Sequence, residues 1–255
     1  MPEFDTALVL LLAAIAVAGV ARGLSGFGTG MIVAPVAGAL YGPKAAVVIM
    51  VIIDSLPTIP ITIPAFRLAL WREVLPILAG MAVFLPAGVW ILANGEPTTL
   101  RWIVCIAILI CAAGLWLGWR YRGPRSGATS FGVGGIAGVL SGIASIPAPP
   151  VIFYWMATDL KAAIIRANLL VLFFLSEALS IANLWVAGLF EWEVVAIGLV
   201  AIPVYFVAML AGQRLYGFAS DETYRRITFV LIVLSAILAL PLMEPLFRAL
   251  PGLAG

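Results

Sequence analysis

The stretch ARGLSGFGTGM, Ala21 to Met31, interrupts a long apolar run with four glycines, two hydroxyl residues and an arginine. Glycine weakens a helix by about 0.5–1 kcal/mol relative to alanine, and an arginine in the bilayer core costs at least about 2.5 kcal/mol. A related stretch, LSGIASIPAPP, Leu140 to Pro150, interrupts the apolar sequence again in the second half. Both stretches therefore predict breaks in otherwise continuous helical segments.

The composition around these breaks is that of a membrane protein. The chain has 255 residues, of which 64% are hydrophobic and 10% charged, and the mean hydropathy is +1.18. Soluble domains carry about 25% charged residues. The apolar runs are also longer than the segments of about 10 alternating residues that build membrane barrels. We therefore predict an all-α integral membrane protein whose first partner is the lipid bilayer.

Several classes of function are disfavoured by what the sequence lacks. There is no histidine, so the usual zinc sites and the Ser-His-Asp and Cys-His nucleophile systems are absent. Cys105 and Cys111 lie six residues apart on different faces of one apolar segment. The net charge is +2 and the cations are scattered, which does not indicate a nucleic-acid partner. We expect no metal, no cofactor and no enzymatic activity.

Apolar segments divide the chain into two similar halves. A polar linker, 123–127, separates a first repeat, 1–122, from a second, 128–255. The apolar segments fall at 5–22, 28–41, 44–66, 73–93, 98–119, 128–141, 146–158, 161–187, 193–212 and 223–243.

Short matches recur in the same order in both halves. LSGFG at Leu24 resembles LSGIA at Leu140, and GPKAAVV around Lys44 resembles DLKAAII around Lys161. Each half reads as a glycine-rich break followed by three further helices. Internal repeats of this kind are characteristic of transporters.

The distribution of cations favours re-entrant hairpins over simple crossings at the two breaks. With eight crossings the Lys and Arg residues divide six against seven between the two sides. With two hairpins and six crossings they divide ten against three, the larger group being Arg67, Arg72, Arg120, Arg122, Arg125, Lys161, Arg166, Arg214, Arg225 and Arg226, and the smaller Lys44, Arg101 and Arg248. Cytoplasmic loops are enriched in Lys and Arg. We therefore predict two inverted repeats, each a glycine-rich broken helix or re-entrant hairpin plus three transmembrane helices, with both termini on the non-cytoplasmic side.

A break at mid-membrane leaves the first N–H groups of the following helix without partners and at the positive end of its dipole, which suits an anion. Hydroxyl groups and a fixed arginine fork could add donors. The residues that we expect to bind the anion are Arg22, Ser25, Gly26, Gly28, Thr29, Ser141, Gly142, Ser145 and Asn168. The alternative is that the glycines only allow helices to pack closely.

These residues resemble a known family, the sulfite exporter TauE/SafE family of bacterial membrane proteins. The resemblance rests on LSGFGTGMIVAP followed by GPKAAVV, and on LSGIASIPAPPVI followed by LKAAII, and as a repeat pattern it covers nearly the whole chain. Thr29 stands where the family pattern has a glycine, and the residues 144–147 replace most of the second glycine motif. The resemblance implies export of sulfite, a sulfonate or a related small anion across the bacterial inner membrane.

Two carboxyl groups fall inside apolar segments. Asp54 lies near the middle of 44–66, and Glu177 lies well inside 161–187. Ionisable groups at such depth are functional candidates by default. We take both as candidates for a group that binds a proton during transport, with proton import driving anion export as one hypothesis. A static ion pair with Arg22 or Arg166, or a carboxyl kept neutral by burial, is the alternative.

The sequence therefore predicts a secondary transporter, an exporter of a small anion that works by alternating access. An anion channel is the nearest alternative, because channels can use the same dipoles. An intramembrane enzyme is a weaker alternative, because the chain has no histidine and no carboxylate cluster at helical spacing. A structural subunit would leave the glycine breaks and the buried charges unexplained. A homodimer is a further expectation for a carrier of this size.

Overall fold

The computed structural model describes residues 5–119, 121–158 and 160–215, together with Val230, Val233, Ile237 and Leu240. Regular structure in these ranges is helical. The helices are α1 (Thr6–Ser25), α2 (Thr29–Tyr41), α3 (Pro43–Ser55), a 3₁₀ turn (Leu56–Thr58), α4 (Ile59–Leu68), α5 (Trp71–Asn94), α6 (Pro97–Trp116), α7 (Gly127–Ala144), α8 (Ala148–Trp155), α9 (Ala162–Val186) and α10 (Trp192–Leu215).

The helices follow the predicted apolar segments, and the all-α membrane class is confirmed. Seven stretches in the described ranges are long and apolar enough to cross a membrane, with Pro43–Leu68 counted as one. The predicted segment 44–66 is divided by the 3₁₀ turn, which contains Pro57 and therefore lacks one backbone donor. The predicted segment 223–243 lies almost entirely outside the described residues.

The first break is narrower than the sequence suggests, because α1 continues through Ser25. Gly26 and Gly28 take φ values of 79° and 106°, which favour glycine, and the chain reverses between α1 and α2. Asp5 caps the start of α1 through a 2.8 Å hydrogen bond from the Leu8 amide. Burial and the nearby Asp5 carboxylate raise the pKa of Tyr41, the last residue of α2, to about 12. The end of α2 therefore lies near the start of α1.

The second break repeats this arrangement with different residues. Ser126 caps α7, and Ser145 ends it in the left-handed region with a φ of 53°. Near the far ends of this helix pair, the hydroxyl groups of Ser130 in α7 and Tyr154 in α8 lie 2.8 Å apart. The end of α8 therefore returns to the start of α7.

Glycines also join the first helix of each half to a helix of the other half. A Cβ atom on Gly23 of α1 would lie 2.1 Å from the Met209 carbonyl oxygen of α10. Likewise, a Cβ on Gly134 of α7 would lie 2.0 Å from the Ile77 carbonyl oxygen of α5. Small residues allow this close approach of membrane helices. The two halves are thus interlocked by the seams α1–α10 and α7–α5, and the breaks lie between them.

Candidate functional site

The two breaks come together around one small internal cavity. Its volume is about 20 Å³, which is room for about one water molecule. The start of α2, the start of α8, α3 and α9 all contribute to the wall. The lining residues are Arg22, Gly28, Thr29, Gly30, Met31, Asp54, Ser145, Ile146, Pro147, Ala148, Phe173 and Glu177.

The backbones of the two breaks touch directly. A Cβ atom on Gly30 would lie 2.2 Å from the carbonyl oxygen of Ser145, so only glycine fits there. The Ser145 hydroxyl is buried and has no hydrogen-bond partner within the described ranges. A polar group left unpaired in a buried cavity costs free energy. This hydroxyl is therefore available to a polar ligand.

Arg22 provides the positive charge of the cavity. It lies in the last turn of α1 and is only 3% exposed. Its Nη2 atom is 3.5 Å from Oδ2 of Asp54, and its guanidinium carbon lies 5.5 Å from the centre of the Phe173 ring. Its Nε atom has no hydrogen-bond partner among the described residues. Arg22 thus keeps one donor that a bound oxyanion could accept.

Asp54 is held from a second side by Tyr205 of α10. The Tyr205 hydroxyl donates a hydrogen bond to Oδ1 of Asp54. The Thr29 hydroxyl lies 2.9 Å from the same Tyr205 oxygen, and because the tyrosine proton is directed to Asp54, Thr29 is the donor in that contact. The network joins α1, α2, α3 and α10 around the first break. Asp54 is therefore fully partnered.

Glu177 of α9 is the second carboxyl group in the cavity wall. It is 8% exposed, and its Oε2 atom has no hydrogen-bond partner in the part of the chain that the structure describes. Asp54 and Arg22 both lie within electrostatic reach of it. Glu177 therefore differs from Asp54 in having one oxygen open to the cavity.

The two helix starts offer different numbers of backbone donors. The Ile32 amide makes the first bond of α2, to the Gly28 carbonyl, and no side chain caps this helix. The amides of residues 29–31 are therefore without helical partners, and these three residues line the cavity. The start of α8 contains Pro147, Pro149 and Pro150, which have no N–H group. The backbone donors of the site come mainly from α2.

Six of the predicted residues line this cavity: Arg22, Gly28, Thr29, Ser145 and the two carboxyl candidates, Asp54 and Glu177. The others lie elsewhere. Gly26 packs against the Arg166 side chain. Gly142 belongs to the seam with α5, where a Cβ would lie 2.6 Å from the Leu85 carbonyl oxygen.

Ser141 and Asn168 lie outside the cavity wall and have backbone partners. The Ser141 carbonyl accepts the N–H of Ser145, 2.8 Å away. Asn168 is fully buried, and its Oδ1 atom accepts a 2.7 Å hydrogen bond from the Leu70 amide between α4 and α5. Ser25 ends α1, directly before the break.

Three residues of the site were not predicted from the sequence. Tyr205 and Phe173 contact Asp54 and Arg22, but each lies in an apolar helix where an aromatic residue gives no signal of its own. Arg166 was interpreted as a cation at the cytoplasmic edge, yet its Nη2 atom donates a 3.2 Å hydrogen bond to the Gly23 carbonyl beside the first break. Its position four residues into α9 is the signal that could have indicated this reach.

Two curated proteins are similar to this chain in sequence. The chain is 30% identical over 226 residues to the "Probable sulfite/organosulfonate exporter TauE" of Cupriavidus necator, covering 86% of this chain and 88% of that protein. It is 29% identical over 186 residues to the "Probable inner membrane transporter protein TsaS" of Comamonas testosteroni, covering 68% and 73%. No solved structure matches the chain.

The sequence model of the sulfite exporter TauE/SafE family matches residues 11–239, which include both breaks and every residue of the cavity wall. The family and the two relatives are described as membrane transport proteins and not as enzymes. The chain is therefore a multi-pass membrane protein that belongs to the sulfite exporter TauE/SafE family of transporters.

Proposed function

We propose that this protein is a secondary transporter that exports a small oxyanion, sulfite or an organosulfonate, across the bacterial inner membrane by alternating access. The observation that carries the proposal is the cavity at which both breaks meet, with the buried Arg22 and the free amides of α2 in its wall. An oxyanion could accept hydrogen bonds from both kinds of donor. The printed name of the Cupriavidus necator relative supports this class of substrate.

An inverted repeat would account for the packing of the helices. The α1–α10 seam joins the first helix of one half to a helix of the other half, and the α7–α5 seam does the same in reverse. In both halves, the end of the helix after the break lies near the start of the helix before it. These contacts support re-entrant hairpins in antiparallel halves, 1–122 and 128–255. The distribution of Lys and Arg along the sequence favours both termini outside the cytoplasm.

The small size of the cavity supports a carrier that moves. About 20 Å³ holds one water molecule, whereas a sulfur oxyanion has four or more heavy atoms. Binding therefore requires the two hairpins to separate, which is the motion that alternating access provides. Saturable flux would distinguish this mechanism from an anion channel.

The test is thermal stabilisation of the purified protein by a panel of small anions, because a ligand of the folded state raises the melting temperature by mass action. We expect sulfite or a sulfonate to stabilise the wild-type protein and Arg22→Gln to abolish the effect. Arg125→Gln is the matched control, since Arg125 forms a surface ion pair with Glu73 at 2.6 Å. If no sulfur oxyanion or sulfonate stabilises the wild-type protein, the proposed substrate class is wrong.

Removal of Arg22 alone leaves Asp54 as a buried charge without its ion-pair partner, which costs about 3–5 kcal/mol. The double variant Arg22→Gln/Asp54→Asn removes both charges and should restore folding without restoring anion binding. Stabilisation of this double variant by the anion would contradict a role for Arg22 in binding.

Transport coupled to protons needs a group that gains and loses a proton inside the site. Asp54 and Glu177 are the two carboxyl groups of the cavity wall. Both are candidates for the group that binds the proton.

A further inference from the structure

We infer that Glu177 binds one proton when the anion binds, so that proton and anion occupy the site together, while Asp54 stays ionised as the fixed partner of Arg22. This inference rests on the proposed function, since it requires an anion in the cavity. The hypothesis from the sequence has an imported proton exchanged for the exported anion. Here the proton and the anion are instead bound at the same time.

The hydrogen bonds of the two carboxyl groups separate their roles. Asp54 has Arg22 at one oxygen, 3.5 Å away, and accepts the Tyr205 proton at the other. Both of its oxygens are therefore occupied by donors of the protein, which leaves no open oxygen for a transported proton.

Glu177 has the opposite surroundings. It is buried and lines the cavity, and its Oε2 atom has no partner among the described residues. A buried carboxylate without hydrogen bonds is costly, and the neutral acid is its alternative. The neutral acid also carries an O–H group that could donate to the anion.

The charged and titratable groups around Glu177 are few. Facing it are Asp54 of α3 and Arg22 of α1, with Tyr205 of α10 beyond Asp54. Of the other helices packed on α9, α4 carries Arg67 and α5 carries Arg72 and Glu73, while α8 carries Tyr154.

Arg67 of α4 and Arg72 of α5 lie near the start of α9, away from Glu177. The Leu70 amide between α4 and α5 binds Asn168, which precedes Glu177 by nine residues, or about 13 Å along α9. Tyr154 is paired with Ser130. Arg22 and Asp54 are therefore the charges that decide the state of Glu177.

A charge count shows why anion and proton should bind together. With Arg22 and Asp54 ionised, a univalent anion gives the site a net charge of −1 when Glu177 is neutral and −2 when it is ionised. Like charges at close range in a buried site repel strongly. The anion therefore favours the step in which the Glu177 carboxylate takes a proton from water and becomes the acid, and departure of the anion returns that proton to water.

The experiment is isothermal calorimetry of the detergent-solubilised protein with methanesulfonate, which stays ionised over the working pH range, whereas sulfite itself titrates. Titrations in two buffers of different ionisation enthalpy give the number of protons taken up per anion. At pH values where Glu177 is ionised in the empty site, we expect about one proton to be taken up per anion bound. In that pH range the dissociation constant of the anion should rise by up to tenfold per pH unit.

Three variants assign the proton. Glu177→Gln mimics the neutral acid, so it should bind the anion with the low-pH affinity of the wild-type protein at every pH and take up no proton. Asp54→Asn leaves the Glu177 carboxyl group in place, so a proton should still be taken up, although the pH at which uptake occurs should change. Ser176→Ala is the matched control, because its hydroxyl only donates to the Phe173 carbonyl of the same helix at 2.9 Å, and it should behave as the wild type.

The outcomes separate the two proposals. Binding without proton uptake in the wild-type protein overturns the inference and leaves the proposed function standing. Uptake that persists in Glu177→Gln and disappears in Asp54→Asn also overturns it. If methanesulfonate, sulfite and the rest of the anion panel all fail to bind, the proposed function fails, and the inference fails with it.

Discussion

Tyr205 connects three elements through a single hydroxyl group. It donates to Asp54 of α3, accepts from Thr29 of α2 and is itself part of α10. Such a shared contact fixes the start of α2 relative to the charge pair. A change confined to this hydroxyl should therefore affect the site more than the fold.

We predict that Tyr205→Phe lowers anion affinity by about tenfold, or about 1.4 kcal/mol. The loss of the two hydrogen bonds of this buried hydroxyl group should lower the free energy of unfolding by about 1–3 kcal/mol. Tyr154→Phe is the matched control, because Tyr154 is equally buried and also paired with a hydroxyl group, that of Ser130, outside the cavity. It should lose similar stability and keep wild-type affinity in the thermal-shift assay. Equal effects of the two variants on affinity would remove Tyr205 from the site.

The residues that the sequence could identify are those whose presence in a membrane is costly. Arg22, Asp54 and Glu177 each oppose the apolar character of their segment, and all three line the cavity. Tyr205 could not be identified, because an aromatic residue is favourable in an apolar helix. The contact of Asn168 could not be identified for another reason, since its partner, the Leu70 amide, comes from a distant part of the chain.

At the scale of the element, α2 contains two glycines with opposite surroundings. Gly30 faces the Ser145 carbonyl oxygen, with no space for a Cβ atom, whereas Gly38 has nothing within 4 Å of the corresponding position. Both lie within one 13-residue helix, so helix propensity is the same for each. The difference in stability between alanine variants at these two positions therefore reports the contact between the two breaks.

We predict that Gly30→Ala lowers the free energy of unfolding by about 1–3 kcal/mol, because the two breaks must move apart. Gly38→Ala should instead raise it by about 0.5–1 kcal/mol, as expected for alanine in place of a helical glycine. Thermal unfolding in detergent, followed by the loss of monodisperse protein, compares the two. A Gly30→Ala variant as stable as the wild type would contradict the close contact of the breaks.

The lengths of the apolar segments predict where the helices lie in the sequence. They do not predict which helices contact each other. The segment 44–66 was predicted as one unit, and the 3₁₀ turn that contains Pro57 divides it. The glycines, however, divide between two roles that look alike in sequence. Gly23 and Gly142 lie in the helix seams, and Gly30 lies between the breaks, because only the tertiary partner decides the role.

At the scale of the whole molecule, the hairpins determine which loops share a side of the membrane. The Arg125–Glu73 ion pair joins the start of α5 to the residues before α7, and the Asn168–Leu70 bond brings the start of α9 to the same end. Six crossings would place this end in the cytoplasm, where most of the cations were predicted. The loop between α9 and α10 would lie on the other side.

We predict that a cysteine introduced by Glu191→Cys reacts with a membrane-impermeant thiol reagent in intact spheroplasts. One introduced by Arg125→Cys should react only after permeabilisation. The background is Cys105→Ala/Cys111→Ala, since these two are the cysteines of the chain. The opposite labelling pattern would reverse the orientation, and labelling of both sites in intact cells would exclude the six-crossing topology.

The seam between α1 and α10 has a consequence for biosynthesis. Gly19 packs against the backbone of Tyr205, a residue that the ribosome adds about 190 residues later, which takes roughly 10–40 s at about 5–20 residues per second. During that interval α1, which carries Arg22, has not yet formed its contacts with α10. The residues between α1 and α10 must therefore be synthesised before α1 can reach its final place.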